Sequence, residues 1–273
     1  MNEEIFGTEI ISSKANSTIV KIAKLSSKKY RNEYKMFLCD GIKLLKESAD
    51  FGVDIKYIII RSDFLLDSDL QNTIKKCQKN GTNILVVTDA VFSKITEENS
   101  PQGIITVCSF LNNVNVSCDI DFNEINEKII MLESIRDPGN IGTIIRNAAA
   151  FGINRLIFSK DCADHYSQKV IRAAMGAIFK VKIDIVDDFI GTIKKLQKNG
   201  KTVLGAALNT NSLILGERKI SKEDIIIIGN EGHGLSNEVL SVVNDTIFIP
   251  IEKNTESLNA AMASAIFMWE MTK

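Results

Sequence analysis

The sequence predicts an α/β protein built from two domains. Apolar runs rich in Ile and Val alternate with helical patterns along almost the whole chain, as in proteins with largely parallel sheets. One run, Ile225–Ile228, is apolar on both faces, which marks a central parallel strand covered on two sides. Between Asn112 and Glu127, Asn and Asp crowd together and periodicity fades, so the chain divides into residues 1–112, a linker 113–127 and residues 128–273.

Taken in order, strands are expected at Lys56–Ile60, Asn83–Thr88 and Gly103–Phe110 in the first domain. In the second they are expected at Lys128–Glu133, Arg155–Ser159, Val181–Val186, Thr202–Ala207, Asp224–Gly229 and Thr246–Ile251. Helical spacing covers Gly41–Asp50, Asp69–Lys79, Ile141–Phe151, Asp187–Lys198 and Leu258–Glu270. With 273 residues, 45% of them hydrophobic and 25% charged, the chain can bury a sizeable core. No apolar run approaches the ~18 residues of a membrane helix, and the acidic start lacks the plan of a secretory signal. The five cysteines (Cys39, Cys77, Cys108, Cys118, Cys162) are scattered without a C-x-x-C, which speaks against a zinc site or disulfide framework. A cytoplasmic protein is expected.

The net charge of −1 hides an uneven distribution. Between Ser12 and Phe37 stand Lys14, Lys21, Lys24, Lys28, Lys29, Arg31 and Lys35 against the single acid Glu33. Such a surface can neutralise phosphates, although a solvated helix face has the same pattern.

Three segments resist a purely structural reading. In Leu132–Gly152, a strand ends near Glu133, a turn carries Asp137-Pro138-Gly139, and a helix begins near Asn140, expected as its N-cap. Ile141, Ile144, Ile145 and Ala148 form that helix's buried stripe, and Arg146, ~140° round from Ile141, points away from it. The second segment, Gly229-Asn230-Glu231-Gly232-His233-Gly234-Leu235-Ser236, follows the buried strand with more glycine than a plain turn needs. Its glycine order is not the dinucleotide fingerprint, and Gly200-Lys201-Thr202 lacks the spacing of a P-loop, which sets aside a nucleotide-binding oxidoreductase. In the third, a strand stops at Ile249-Pro250, and Ser257-Leu258-Asn259 opens a helix of small residues.

Together these segments resemble the three motifs of the SpoU/TrmH family of RNA ribose methyltransferases, within the knotted SPOUT class. The carriers are N-x-G-x-x-x-R at Asn140–Arg146, G-N-E-G-x-G-L-S at Gly229–Ser236, and I-P with S-L-N at Ile249-Pro250 and Ser257–Asn259. Arg172–Ala177 is similar to a further family segment, with Ala174 where a serine often stands. Arg31, Phe37-Leu38, Gly41 and Ser100–Gly103 are similar to the family's N-terminal substrate-binding domain, with Asp40 in place of the commoner Glu.

The resemblance implies a small α/β RNA-binding domain followed by a methyltransferase domain with a deep trefoil knot. It implies S-adenosylmethionine as cofactor, held by Ala207, Leu208, Gly229, Asn230, Gly232, Gly234, Ile249, Pro250, Leu258 and Asn259. It implies catalysis by Arg146 with Asn140, Glu231, Ser257 and Asn259, and a homodimer through the knot; the seven basic residues named above are expected, from their charge, to contact RNA. Arg146 has a proposed role as base in the family, yet a guanidinium is a poor base, so a phosphate clamp stands beside that reading. No metal is required, because the sulfonium methyl is already activated, and His165 and His233 read as ordinary polar residues. Ribosomal RNA is the expected substrate. The alternatives are transfer RNA, a ring-nitrogen methylase of the wider class, and a non-catalytic RNA-binding relic.

Overall fold

A computed structural model describes residues 5–116, 127–209, 211–221, 223–252 and 257–273. The chain forms two compact units. The first runs to Leu111 and includes Asp164–Phe179; the second takes Asn112–Ala163 and Lys180–Lys273. Segment 164–179 thus packs with the first unit, although along the chain it lies inside the stretch expected to be the second domain.

The first unit contains β1 (Ile10–Ile11), α1 (Ser17–Ala23), α2 (Lys28–Tyr34), β2 (Met36–Asp40), α3 (Ile42–Asp50), β3 (Ile55–Arg61), α4 (Ser68–Lys79), β4 (Asn83–Val87), α5 (Asp89–Phe92) and β5 (Ile104–Ser109). Its sheet has the order β1-β4-β3-β5-β2. β1, β4 and β3 run parallel, whereas β5 is antiparallel to both β3 and β2. Ile19, Ile22, Leu25, Leu38, Ile59, Phe92 and Val107 are among the buried side chains that close the core between helices and sheet. The sequence pattern does not predict α1, α2 or β2. The two helices are seven residues each, about two turns, too short for a repeating stripe to show, and α2 carries no aliphatic side chain.

The second unit contains β6 (Val114–Val116), β7 (Ile129–Leu132), α6 (Pro138–Ala150) and β8 (Arg155–Ser159). The chain contributes α7 (Gln168–Ala174) to the first unit, then continues through β9 (Lys182–Val186), α8 (Phe189–Lys198), β10 (Thr202–Ala206), β11 (Leu213–Ile214), β12 (Asp224–Ile228), α9 (Asn237–Leu240), β13 (Asp245–Phe248) and α10 (Ala260–Glu270). The sheet has the order β11-β13-β10-β12-β7-β8-β9-β6, and every pairing in it is parallel. All five residues of β12 are buried between β10 and β7, as the two-faced apolar run requires.

Three boundaries differ from expectation for physical reasons. The first linker residues enter the sheet, because Val114–Val116 pairs with β9; residues 117–126 of the expected linker, with Cys118, lie outside the described residues. α6 starts earlier than Ile141: Asp137 is its N-cap, accepting from the Asn140 N–H at 2.9 Å, and Pro138 takes the first turn, where its missing N–H costs nothing. Asn140 is therefore a buried helical residue whose side chain is free for other work. β13 ends at Phe248 rather than Ile251, so the chain leaves the ladder one residue ahead of Pro250, which cannot donate to it.

Candidate active site

The site grows from the carboxyl ends of the second unit's strands, where an open parallel sheet offers loops and helix N-termini to a ligand. After β12 the chain folds tightly back on itself: the Asn230 and Gly234 backbones exchange two hydrogen bonds of 2.9 Å. Gly229 permits this fold. A Cβ there would stand 2.4 Å from the Gly234 carbonyl carbon and 2.5 Å from the Leu235 nitrogen, both backbone atoms with nowhere to go. Gly234 supplies the left-handed turn at φ +68°. The Asn230 side chain then clamps the loop, accepting from the Gly232 N–H at 2.8 Å and donating to the Ser134 carbonyl at 2.7 Å.

This loop presents Glu231 to the start of α6. Its carboxylate accepts from the Asn140 amide at 2.9 Å and from the backbone N–H groups of Arg136 and Asp137 at 3.2 Å each. The Asn140 carbonyl oxygen in turn accepts from the Asn259 amide at 2.9 Å. The Asn259 carbonyl oxygen caps α10 by accepting from Ala261 N–H at 2.9 Å and Met262 N–H at 3.2 Å. Three separate chain segments are thereby tied into one relay, Glu231–Asn140–Asn259. Partial burial pushes the Glu231 carboxyl up, but the hydrogen bonds from Asn140 and from the backbone outweigh it and hold the group below its ordinary range. A carboxylate charged at neutral pH fixes the donor direction of Asn140, and Asn140 fixes that of Asn259.

Beside the relay lies an apolar cleft of about 260 Å³. Ala206–Leu208 past β10, Ile247–Ile249 and Ile251 along and past β13, and Ser257, Leu258, Ala263 and Phe267 around α10 line it. Leu208, at 74% exposure, is the most open of its apolar residues, and Ile251 and Leu258 are also exposed. Exposed apolar side chains converging on one concavity mark a ligand surface. Of the residues expected at a cofactor, Ala207, Leu208, Ile249 and Leu258 stand in its wall, as does Ser257. Gly229, Asn230, Gly232 and Gly234 shape the adjoining loop instead, Pro250 is exposed past β13, and Asn259 belongs to the relay.

Arg146 is exposed on α6, on the face opposite the buried Ile141, Ile144, Ile145 and Ala148. Next to it in the chain, Asn147 donates to the Ala261 carbonyl at 3.3 Å and fastens α6 to α10. Sequence reading passes over Asn147, over the two backbone donors to Glu231, and over Phe267 in the cleft wall. Backbone donors leave no mark in a side-chain pattern, while Asn147 stands in plain view directly after the N-x-G-x-x-x-R segment.

The basic residues are divided by the structure. Lys14, Lys21, Lys24, Lys28, Lys29 and Lys35 are all exposed. Arg31 is not available to RNA. It is 4% exposed, donates to the Leu25 and Ser26 carbonyls at 2.7 Å, and pairs with Asp164 at 2.6 Å. Those bonds pin the turn between α1 and α2, so Arg31 is a structural ion-pair residue. His165 packs beside Tyr166 in the first unit, where burial pushes its imidazole down to about 4 and keeps it neutral at pH 7. His233 is exposed on the glycine loop.

An all-parallel sheet bearing an apolar cleft and a carboxylate–amide relay at its carboxyl edge is the ligand site of an α/β enzyme. The chain belongs to the SpoU rRNA methylase family, which it matches over residues 127–269; residues 16–106 match the MRM3-like substrate-binding domain. It is an RNA methyltransferase. Among curated proteins it is 28% identical to the 23S rRNA (guanosine(2553)-2′-O)-methyltransferase RlmP of Bacillus subtilis, over 96% of this chain and 98% of that one. It is also 28% identical to the 23S rRNA (guanosine-2′-O-)-methyltransferase RlmB of Coxiella burnetii, over 76% of this chain and 83% of that one. Among solved structures, an AdoMet-bound rRNA methyltransferase from Sinorhizobium meliloti superposes with a TM-score of 0.82 at 27% identity, covering 96% of both chains.

Proposed function

We propose that this enzyme transfers a methyl group from S-adenosylmethionine to a ribose 2′-hydroxyl of ribosomal RNA. The observation that carries the reading is the Glu231–Asn140–Asn259 relay next to the apolar cleft, with Arg146 exposed on the helix that carries Asn140. The cleft suits the cofactor: its walls are apolar enough for a nucleoside, and past β13 the chain has left the β-ladder at Ile249. When bound, S-adenosylmethionine supplies an activated methyl on a sulfonium that departs as a neutral thioether.

The protein's contribution is placement and charge. The relay holds the start of α6 and α10 in fixed register, and such positioning can lower a barrier by up to ~7–11 kcal/mol when reacting atoms are aligned. Arg146 acts as a clamp on a neighbouring phosphate and stabilises negative charge developing on the ribose oxygen as its proton passes to solvent water. The family resemblance implies a trefoil knot in the second unit, formed where the last helix, α10, threads through a loop. α10 exposes Met262 and Trp269, and these apolar faces serve a homodimer, which sedimentation at equilibrium tests. The surface lysines of α1, α2 and their flanks capture RNA phosphates. Among the described residues no helix is long and apolar enough to cross a membrane, and Cys39, Cys77, Cys108 and Cys162 are buried free thiols; the enzyme works in the cytoplasm, with the ribosome.

The test is transfer of labelled methyl from S-adenosylmethionine to undermodified total RNA, followed by size separation and nucleoside analysis. Label in a 2′-O-methylnucleoside of ribosomal RNA is the expected result. Label confined to transfer RNA changes the substrate, and no label in any fraction, with competent controls, refutes the reading.

A further inference from the structure

A second concavity lies wholly within the first unit, at the end of the mixed sheet where β2, β3 and β4 begin and β5 ends. Its volume is about 440 Å³, and Lys21, Tyr34, Lys35, Lys56, Tyr57 and Phe110 supply its aromatic and charged walls. Every described charged residue lining it is a lysine, in a chain whose net charge is −1.

The rings and the lysines are arranged together. The Lys21 ammonium lies 5.0 Å from the centre of the Tyr34 ring, and the Lys35 ammonium 5.5 Å from that of Phe110. Cation–ring contacts of this kind are weak at exposed sites, so each ammonium is easily exchanged for a flat, stacking partner. The Phe110 ring is backed by Tyr166, stacked at 4.2 Å, and Tyr166 is fixed by accepting the Leu111 N–H at 2.8 Å. Lys35 itself adopts a left-handed backbone, φ +53°, at the C-cap of α2, where glycine is the usual occupant. Its carbonyl accepts the Phe110 N–H at 2.8 Å, which couples that strained cap to the ring. A lysine kept at a conformational cost beside a braced aromatic is a feature that packing alone does not explain.

Aromatic faces interleaved with ammonium groups fit a nucleobase flanked by its own phosphates. Bases inside a duplex have both faces occupied by their neighbours and cannot stack here. We propose that this cavity holds an unpaired nucleotide of the RNA substrate, its base against the Tyr34, Tyr57 and Phe110 rings and the adjoining phosphates on Lys21 and Lys35. The proposal rests on the RNA-capture reading above and sharpens it, from a basic surface that accepts any RNA to a site that selects single-stranded RNA.

The test uses the full chain and fluorescence anisotropy with a labelled oligouridine strand and an RNA duplex of the same length. Tyr34→Leu and Tyr57→Leu keep bulk and remove the ring; each is expected to weaken strand binding by about tenfold and leave duplex binding unchanged. Tyr34→Phe and Tyr57→Phe should restore strand binding, which separates stacking from loss of fold. Lys24→Gln, outside the cavity, should weaken both RNAs alike. If the leucine variants weaken both RNAs equally, or neither, the nucleotide pocket is wrong while RNA capture stands. A wild-type chain that binds neither RNA overturns both.

Discussion

The relay of the second unit and the lysine surface of the first show two opposite ways of building a site. Glu231, Asn140 and Asn259 are each held by at least two hydrogen bonds, and each helps to hold another. The lysines from Lys14 to Lys35 lie at the surface, and contacts such as Lys24 and Lys29 over the Tyr30 ring, at 5.1 and 5.6 Å, fasten them only loosely. Chemistry on a methyl group needs atoms placed within fractions of an ångström, whereas attraction of a polyanion needs only charge of the right sign. Substitutions in the first region should therefore be severe and non-additive, and those in the second mild and additive.

The largest effect is expected at Arg146, which projects from the rigid region without helping to hold it together. Arg146→Ala should lower methyl transfer by roughly 10²–10³-fold, the usual loss when one charge-stabilising group is removed. Cofactor affinity by calorimetry and the thermal midpoint should stay nearly unchanged. Equal turnover by variant and wild type would remove Arg146 from the reaction. Gly229→Ala comes next and acts through geometry alone. Its Cβ would collide with the Gly234 and Leu235 backbone, so the loop must shift and carry Glu231 with it. A displacement of about 1 Å can cost on the order of 10²-fold in rate, with overpacking destabilising the chain by about 1–3 kcal/mol. A crystal structure with an unmoved loop and full activity would contradict this.

These two residues also show where sequence reading works. The helix stripe Ile141, Ile144, Ile145 and Ala148 places Arg146 on the open face, because 3.6-residue periodicity is local and survives into the fold. The glycine excess after β12 announces the loop, but not that Gly229 serves the chain itself rather than the ligand. The relay is only half visible. Its members are named by resemblance, yet the bonds join residues about 90 to 120 positions apart, which no local pattern encodes. Arg31 is misplaced for the same reason: its partner Asp164 lies 133 residues away, so in the sequence it looks like one more basic residue in a basic run.

Within the relay, Asn259→Ala removes both a helix cap and a link to Asn140, and should cost about 1–2 kcal/mol in urea unfolding. The double variant with Asn140→Ala should lose less than the sum of the two, since they share a bond. Glu231 supplies a pH signature. Its folded-state value lies below the ordinary one, so its stabilising contribution is present above the unfolded value, about 4.3, and is lost as pH falls through the folded value. The stability gap between wild type and Glu231→Gln should therefore be flat from about pH 7 to 5 and close in more acidic solution. A gap independent of pH down to about pH 3 would show that the carboxylate charge is not what the backbone N–H groups recognise.

The smallest effects should come from single lysines. Lys24→Gln or Lys28→Gln removes one surface charge, breaks no hydrogen bond that shapes the fold, and should leave the thermal midpoint where it is. Each phosphate left without its lysine reduces the slope of log affinity against log salt by about 0.7 for single strands and about 0.9 for duplexes. The double variant should show twice that reduction, because neither lysine positions the other. Arg31→Gln is the control that sharpens the contrast. It sits in the same run of sequence, but it is buried against two carbonyls and Asp164, so it should lower the thermal midpoint while leaving the salt slope of the surviving folded protein intact. If Arg31→Gln instead behaves like Lys24→Gln, the basic run is one uniform surface after all, and the line drawn between a built site and an open one does not pass through it.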